Sequence, residues 1–219
     1  MFDLRKKEID SGAVVDAVEA MVYAVVKPLG FRKFGRTLHR FVGGDISQVI
    51  HFQNGCPQQD VHDVLWVNLG IRVPECFERT FAPGKQKRYY HEYECNIRTR
   101  LGELADGRDA EYDLREAPEG IGKDVVEKLK LHVLPLYEKV TSRDAVLEYR
   151  EELCTFDHMD YRRMADLQEA MIYGAVGDTE KAAERFGRYY RSAAEDPVNP
   201  GHLRYLEELA QKLGIRLET

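Results

Sequence analysis

The sequence contains few cysteines, and none of them belongs to a recognisable motif. Its four cysteines lie far apart and form no Cys-x-x-Cys pair; they are Cys56, Cys76, Cys95 and Cys154. A zinc ribbon or a dithiol redox site is built on such pairs, so neither is predicted. We therefore expect reduced thiols and no disulfide, as is typical of a cytosolic protein.

Long apolar runs are also absent. No run approaches the ~20 residues that a membrane-spanning helix needs. Residues 1–8 are rich in charge and lack the apolar segment of a signal peptide. These absences predict a cytoplasmic protein that does not associate with a membrane.

The short motifs that mark common active sites are missing as well. There is no Walker phosphate-binding loop and no Gly-x-Ser-x-Gly nucleophile turn. No two of the seven histidines are spaced four residues apart, as a pair of metal ligands on a helix would be. His158, with Asp157 and Asp160, comes nearest to a metal cluster, but a helix cap also favours Asp there. We predict no metal and no cofactor.

What the sequence does have is an ordinary globular composition with an uneven distribution of charge. Its 219 residues suffice for one large domain or for a domain with an appendage. The net charge is −6, yet residues 1–101 carry 15 basic against 12 acidic residues, and residues 102–219 carry 17 against 26. A general nucleic-acid binder shows a concentrated basic excess, so nucleic acid is not the expected partner. The first half leaves room only for a local basic patch.

Alternating apolar residues in the first half predict a sheet. The clearest strand is Val64–Val73, in which Leu65, Val67, Leu69 and Ile71 fall on every second position and so share one face. The other predicted strands are Phe31–Val42, Ile46–Gln53, Tyr89–Leu101 and Glu111–Leu114. The hairpin-like connections, such as the turn at Val42–Asp45, predict antiparallel pairing.

Helical periodicity surrounds and follows these strands. Residues 9–27 predict a helix that begins at Asp10 or Ser11 and ends at Pro28. A second apolar stripe starts at Ile121 and should kink at Pro135. Further helices are predicted up to about Leu153 and then at Tyr161–Gly174, Thr179–Ala194 and His202–Leu213. The predicted fold class is α+β: an antiparallel four- to five-stranded sheet with helices packed on one face (residues 1–154), followed by a C-terminal helical extension (residues 155–219).

Several segments together resemble a known family. They are Lys27–Thr37, Val49–Gln53, Val67–Ile71 and Leu134–Glu138. Over about residues 9–153 the chain is similar to the bacterial family called domain of unknown function 4304. That resemblance implies an antiparallel sheet with flanking helices, and it implies no catalytic residues.

The alternate positions of the predicted strands, which face the other side of the sheet, carry polar side chains. On the second face of the sheet we expect His51, Gln53, Trp66, Asn68, Arg72, Arg98 and Arg100. A tryptophan surrounded by Arg, Asn and Gln is typical of a binding hot spot. A sheet with one solvated face would show the same pattern, as would a face covered by the C-terminal helices.

Two basic segments are further candidates for binding. Arg36 and Arg40 could hold an anionic group, although the phase of their strand is ambiguous near Gly35. The run Lys85–His91 interleaves cations with aromatic rings, a mixture that can stack bases and contact phosphates. Glu92 and Glu94 follow at once and would repel phosphate, which favours a plain charged loop.

Two functional hypotheses follow. The first is a non-enzymatic protein-interaction domain, with an immunity-like or adaptor role, whose partner is another protein or a second copy of the chain. The second is an enzyme acting on a phosphorylated or nucleic-acid substrate through Arg36, His39, Arg40 and His51. An enzyme needs titratable groups that converge on one pocket, whereas a binding domain needs a broad patch.

Overall fold

The computed structural model of the protein describes residues 10–55, 63–76, 87–153, 161–195 and 200–217. The strands are β1 (Arg32–Phe34), β2 (Thr37–Val42), β3 (Ile46–Asn54), β4 (Val64–Arg72), β5 (Ile97–Arg100) and β6 (Tyr112–Asp113). They form one antiparallel sheet in the order β1-β2-β3-β4-β5, and the short β6 pairs with the beginning of β4. The predicted α+β class with an antiparallel sheet is therefore confirmed.

Helices precede the sheet, flank it and follow it. The α-helices are α1 (Ser11–Val26), α2 (Leu101–Asp106), α3 (Pro118–Lys128), α4 (Leu134–Lys139), α5 (Arg143–Glu148), α6 (Arg150–Leu153), α7 (Tyr161–Val176), α8 (Thr179–Ala194) and α9 (Pro200–Leu213). A π-helical turn, Leu129–Val133, joins α3 to α4 just before Pro135. No helix within the described ranges is both long and apolar enough to span a membrane.

The first predicted strand is in fact a hairpin. β1 and β2 pair antiparallel through Phe34 and Thr37, and only Gly35 and Arg36 lie between them. Gly35 has φ 57°, and glycine at the first position of a two-residue hairpin turn tolerates this positive angle. The interruption adds a strand and settles the phase of β2.

One face of the sheet packs against α1, α3 and α4, as predicted. Leu65, Val67, Leu69 and Ile71 are all buried in the core that these helices share with the sheet. Helix α1 begins where Asp10 accepts a hydrogen bond from the Ala13 amide at 3.1 Å. The alternation seen in β4 therefore does separate a core face from a second face.

The predicted strand Tyr89–Leu101 is much shorter than expected. Only Ile97–Arg100 pairs with β4, and Leu101 already begins α2. The side-chain oxygen of Asn96, the residue just before this strand, accepts a hydrogen bond from the Val73 amide at 2.6 Å. The residues before Ile97 therefore do not pair with β4 as a strand.

The C-terminal helices attach to the end of the sheet domain. Arg150 donates a hydrogen bond to the Gln168 side chain at 2.7 Å, and the Cys76 thiol lies 3.6 Å from the Gln168 carbonyl oxygen. Buried residues of α7, α8 and α9, including Met171, Phe186 and Leu206, belong to the same contiguous core as the sheet. The extension therefore shares its packing with the first part of the chain.

Candidate recognition surface

Residues 87–96, named here the crossing segment, lie over part of the second face of the sheet. The guanidinium of Arg72 sits 3.9 Å from the centre of the Tyr90 ring. A Cβ atom at Gly70 would come within 2.6 Å of the Cys95 sulfur, so only glycine allows this close approach. Tyr90 and Cys95 are both buried by the contact.

The two acids of the crossing segment do not face solvent. Glu92 is 6% exposed and pairs with Arg98, and Glu94 is 7% exposed and pairs with Lys87. Burial opposes ionisation of Glu94, but Lys87 and the His91 amide outweigh it and lower the pKa of Glu94. Both carboxylates are therefore buried and compensated, and the sequence argument that they repel an anionic ligand does not apply to the outer surface.

Two of the expected surface residues are buried. Arg72 is 3% exposed beneath Tyr90, and Asn68 is 5% exposed and donates to the Gln53 amide oxygen at 2.7 Å. The crossing segment and the neighbouring strands cover them. Arg72 and Asn68 thus support the site from below, and the expectation that they lie on an open surface needs correcting.

His39 is buried in an aromatic environment beneath the crossing segment. Its ring lies 4.5 Å from the Phe41 ring and 6.1 Å from the Tyr90 ring. Burial, helped by the charge of Arg72, lowers the pKa of His39 to about 4. The ring is therefore neutral at physiological pH, and its Nε2 atom has no hydrogen-bond partner among the described residues.

Two further histidines, His51 and His91, meet at Thr37. The Thr37 hydroxyl lies 3.0 Å from Nδ1 of His51 and 3.4 Å from Nδ1 of His91. Burial lowers the pKa of His51 to about 4, and His91 and Arg36 act in the same direction. This contact joins the crossing segment to the centre of the sheet.

Beyond the crossing segment, four partly exposed side chains form what we name the open row: His51, Gln53, Trp66 and Arg100. Gln53 pairs directly with Trp66 across β3 and β4, and Asn68 links His51 to Arg100 in the neighbouring register. The Arg100 guanidinium lies 5.0 Å from the Trp66 ring centre, a cation–π geometry, and also pairs with Asp109. Trp66 is thus held in place while part of its ring remains accessible.

A second feature borders the open row, and we name it the aromatic ribbon: the partly exposed Phe34, Tyr89 and His91 and the exposed Tyr93. Phe34 and Tyr89 stack with centroids 4.3 Å apart, and His91 and Tyr93 stack at 5.1 Å. Tyr89 meets His91 edge-on and connects the two stacks. Sequence reasoning missed Phe34 and Tyr93, although the aromatic alternation at positions 89, 91 and 93 was a usable signal.

Arg36 and Arg40 do not join these residues. Arg40 lies on the core face, where it donates to the Gln48 side chain at 2.7 Å and to the Leu29 carbonyl at 2.8 Å. Arg36 reaches towards α1, 3.7 Å from Asp16. The four residues named for an enzyme therefore do not converge on one pocket.

An open groove lies elsewhere, between α1 and the α3–π-turn segment. It encloses about 550 Å³ and is lined by Met21, Val25, Lys123, Val126, Glu127, Lys130 and Leu131. These residues belong to the helical layer, on the other side of the sheet from the open row. Its lining is mostly apolar and carries no histidine or cysteine.

Several of the candidates that sequence reasoning raised lie outside the described residues. They are Cys56, Cys154, His158 and the first two residues of the Lys85–His91 run. Cys76 and Cys95 are both buried. The described part of the chain contains no group of three His, Cys, Asp or Glu residues placed to hold a metal ion.

One comparison with known proteins identifies a family. A family model described as domain of unknown function DUF4304 matches residues 22–139, which include α1 from Val22 onward, the whole sheet and α4. No curated protein and no solved structure matches the chain. Because the matched region covers more than half of the sequence, the chain belongs to the family of domain of unknown function DUF4304.

Proposed function

We propose that this protein is a non-enzymatic, cytoplasmic recognition domain that binds a protein partner through the open row. The observation that carries the proposal is the state of Trp66. This residue is the only tryptophan of the chain, and it stays partly exposed on a face whose other half is covered by the crossing segment.

The chemistry of the open row supports a binding role. Trp and Arg are the residues most enriched in interface hot spots, and here they form a preformed pair. The Asn68 amide holds Gln53, and the Thr37 hydroxyl holds His51. A partner that covers fixed side chains loses less conformational entropy than one that must order them.

The arrangement of titratable groups favours binding over catalysis. The Thr37 hydroxyl is close to His51, as a nucleophile would be to its base, but Thr37 is only 1% exposed. Arg40, which would hold an anionic substrate, lies on the opposite face. A buried hydroxyl and a distant cation support a structural role for this cluster.

The test is a reconstituted complex. Proteins retained by the immobilised chain would be identified by mass spectrometry, and the purified partner would then be titrated against the wild type and against Trp66→Ala. We expect the substitution to weaken binding at least roughly tenfold, because truncating a hot-spot residue costs about 2 kcal/mol or more and each 1.4 kcal/mol is a factor of about ten. The partner should also shift the Trp66 emission maximum to the blue.

Leu131→Ala is the matched control. Leu131 is 63% exposed and lies in the helical layer, so its loss should change neither affinity nor emission. Equal affinities of the wild type and Trp66→Ala for the purified partner would refute the proposal. A Trp66 that iodide fails to quench in the uncomplexed protein would also count against it.

A further inference from the structure

We propose that the aromatic ribbon binds a nucleobase together with its phosphate, by stacking the base on Tyr93 and holding the phosphate with neighbouring cations. This site is separate from the open row, and the inference does not depend on the proposed protein partner.

The first support is the exposure of Tyr93. Its side chain is 67% exposed, although one face of its ring stacks on His91 at 5.1 Å with an interplanar angle of 12°. The other ring face is therefore open to solvent. A tyrosine fixed from one side presents a flat surface on which a base can stack without an ordering cost.

The second support is the positive charge beside the aromatic ribbon. Arg88 is exposed in the crossing segment, and Arg32 is exposed on the edge strand β1, which also carries Phe34 of the ribbon. Arg88 lies 5.8 Å from the centre of the Phe34 ring, which places a guanidinium beside the ribbon. Lys and Arg near a stacking ring are the groups that contact phosphates in single-stranded nucleic-acid sites.

The third support is the position of the acids. Glu92 and Glu94 alternate with the ribbon residues in sequence, and in an extended chain they would surround the ligand with negative charge. In the folded protein both are nearly buried, and Arg98 and Lys87 neutralise them. The outer surface of the crossing segment is thus aromatic and basic, although its sequence is mixed.

The ligand chemistry could come from a free nucleotide or from a single strand. The probe is a fluorescein-labelled deoxythymidine oligomer of about 12 nucleotides, within the range of known single-strand sites. Fluorescence anisotropy would follow its binding at low and moderate salt, with adenosine monophosphate as the competitor. If adenosine monophosphate displaces the oligomer, a mononucleotide is sufficient for binding. If the oligomer binds and adenosine monophosphate does not displace it, the ligand is a single strand. Both results support the site.

The decisive variant is Tyr93→Ala, because an exposed side chain can be removed without disturbing the fold. We expect the dissociation constant to rise about tenfold, the effect of losing one base–aromatic stack. Tyr93→Phe should keep the affinity, and Tyr93→Leu should not, since Leu has bulk but no ring. Arg88→Gln should reduce the salt dependence by about one counterion. Leu131→Ala, in the helical layer, should bind like the wild type.

Three results would overturn the inference. One is no anisotropy change at about 100 µM protein, the weak end of non-specific binding. Another is an unchanged affinity in Tyr93→Ala. The third is a poly-glutamate peptide that binds as tightly as the oligomer and binds Tyr93→Ala as tightly as the wild type. That result would show that the surface attracts any polyanion without base stacking.

Discussion

The hydroxyl of Tyr137 accepts a hydrogen bond from the backbone amide of Gly70 at 3.2 Å. The same hydroxyl donates to the Val49 carbonyl at 2.9 Å, and Val49 is the residue opposite Gly70 in the β3–β4 pair. The Tyr137 side chain from α4 therefore bridges backbone groups of the two central strands, β3 and β4. Tyr137 is 1% exposed, and burial raises the pKa of its hydroxyl.

This relationship makes Tyr137→Phe a sensitive substitution. It preserves the ring but leaves a buried amide and a buried carbonyl without their partner. We expect the free energy of unfolding to fall by about 1–3 kcal/mol, the usual cost of such groups. Urea denaturation would measure it. Tyr190→Phe, which loses only a surface bond to Glu207, serves as the control and should change stability by less than about 0.5 kcal/mol.

The core face of β4 gives a second prediction. Leu69 is 1% exposed and packs in the core shared with the helices. Leu69→Ala should lower the free energy of unfolding by roughly 2–5 kcal/mol because it opens a cavity. A loss below about 1 kcal/mol in a denaturant melt would contradict the assigned packing.

The close approach of Gly70 and Cys95 gives a third prediction. Cys95 is buried, and burial raises the pKa of its thiol, so it should react slowly with a thiol reagent. In Gly70→Ala the added methyl would collide with the Cys95 sulfur and displace the crossing segment. Mass spectrometry after timed labelling should show much faster modification of Cys95 in this variant. An unchanged labelling rate would mean that the segment does not depend on Gly70.

Acid should destabilise the protein through His39. Its pKa is lowered to about 4 in the fold, from an ordinary 6.5, so the unfolded chain binds the proton first. The stability that neutral His39 contributes is complete above pH 6.5 and is lost as the pH falls towards 4, by at most roughly 3 kcal/mol. His51 should add a loss in the same direction.

His39→Phe tests whether His39 causes the loss of stability in acid. A phenyl ring suits the aromatic surroundings and cannot be protonated, so denaturation midpoints at neutral and acidic pH should differ less than in the wild type. His132→Asn, at an exposed position, is the control. A pH dependence that survives His39→Phe undiminished would assign the effect elsewhere.

A fifth prediction concerns metals and disulfides. Neither a chelator nor a reductant should change the melting temperature of the purified protein. Elemental analysis that finds a stoichiometric metal would contradict this, and His158 would be the first ligand to replace. A melting temperature lowered by reductant would point to a bridge involving Cys56 or Cys154.

Period-two alternation by itself determined the central architecture. In β4 the four alternating apolar residues Leu65, Val67, Leu69 and Ile71 are all buried in the core shared with the helices, so alternation alone predicted this face. The start of α1 could also be predicted from neighbouring residues, because Asp10 accepts a hydrogen bond from an amide only three residues away. Alternation and helix capping both depend on this short-range information.

Only the tertiary structure decided what lies on the second face. The burial of Glu92 and Glu94 depends on Arg98 and Lys87, and the path of the crossing segment depends on the missing Cβ of Gly70, a residue from another strand. Arg40 turned inward because the Leu29 carbonyl and Gln48 receive it there. These contacts depend on how the crossing segment and the first hairpin fold against the sheet, so neither a strand period nor a helix period encodes them. They determine which aromatic and basic side chains remain exposed for recognition.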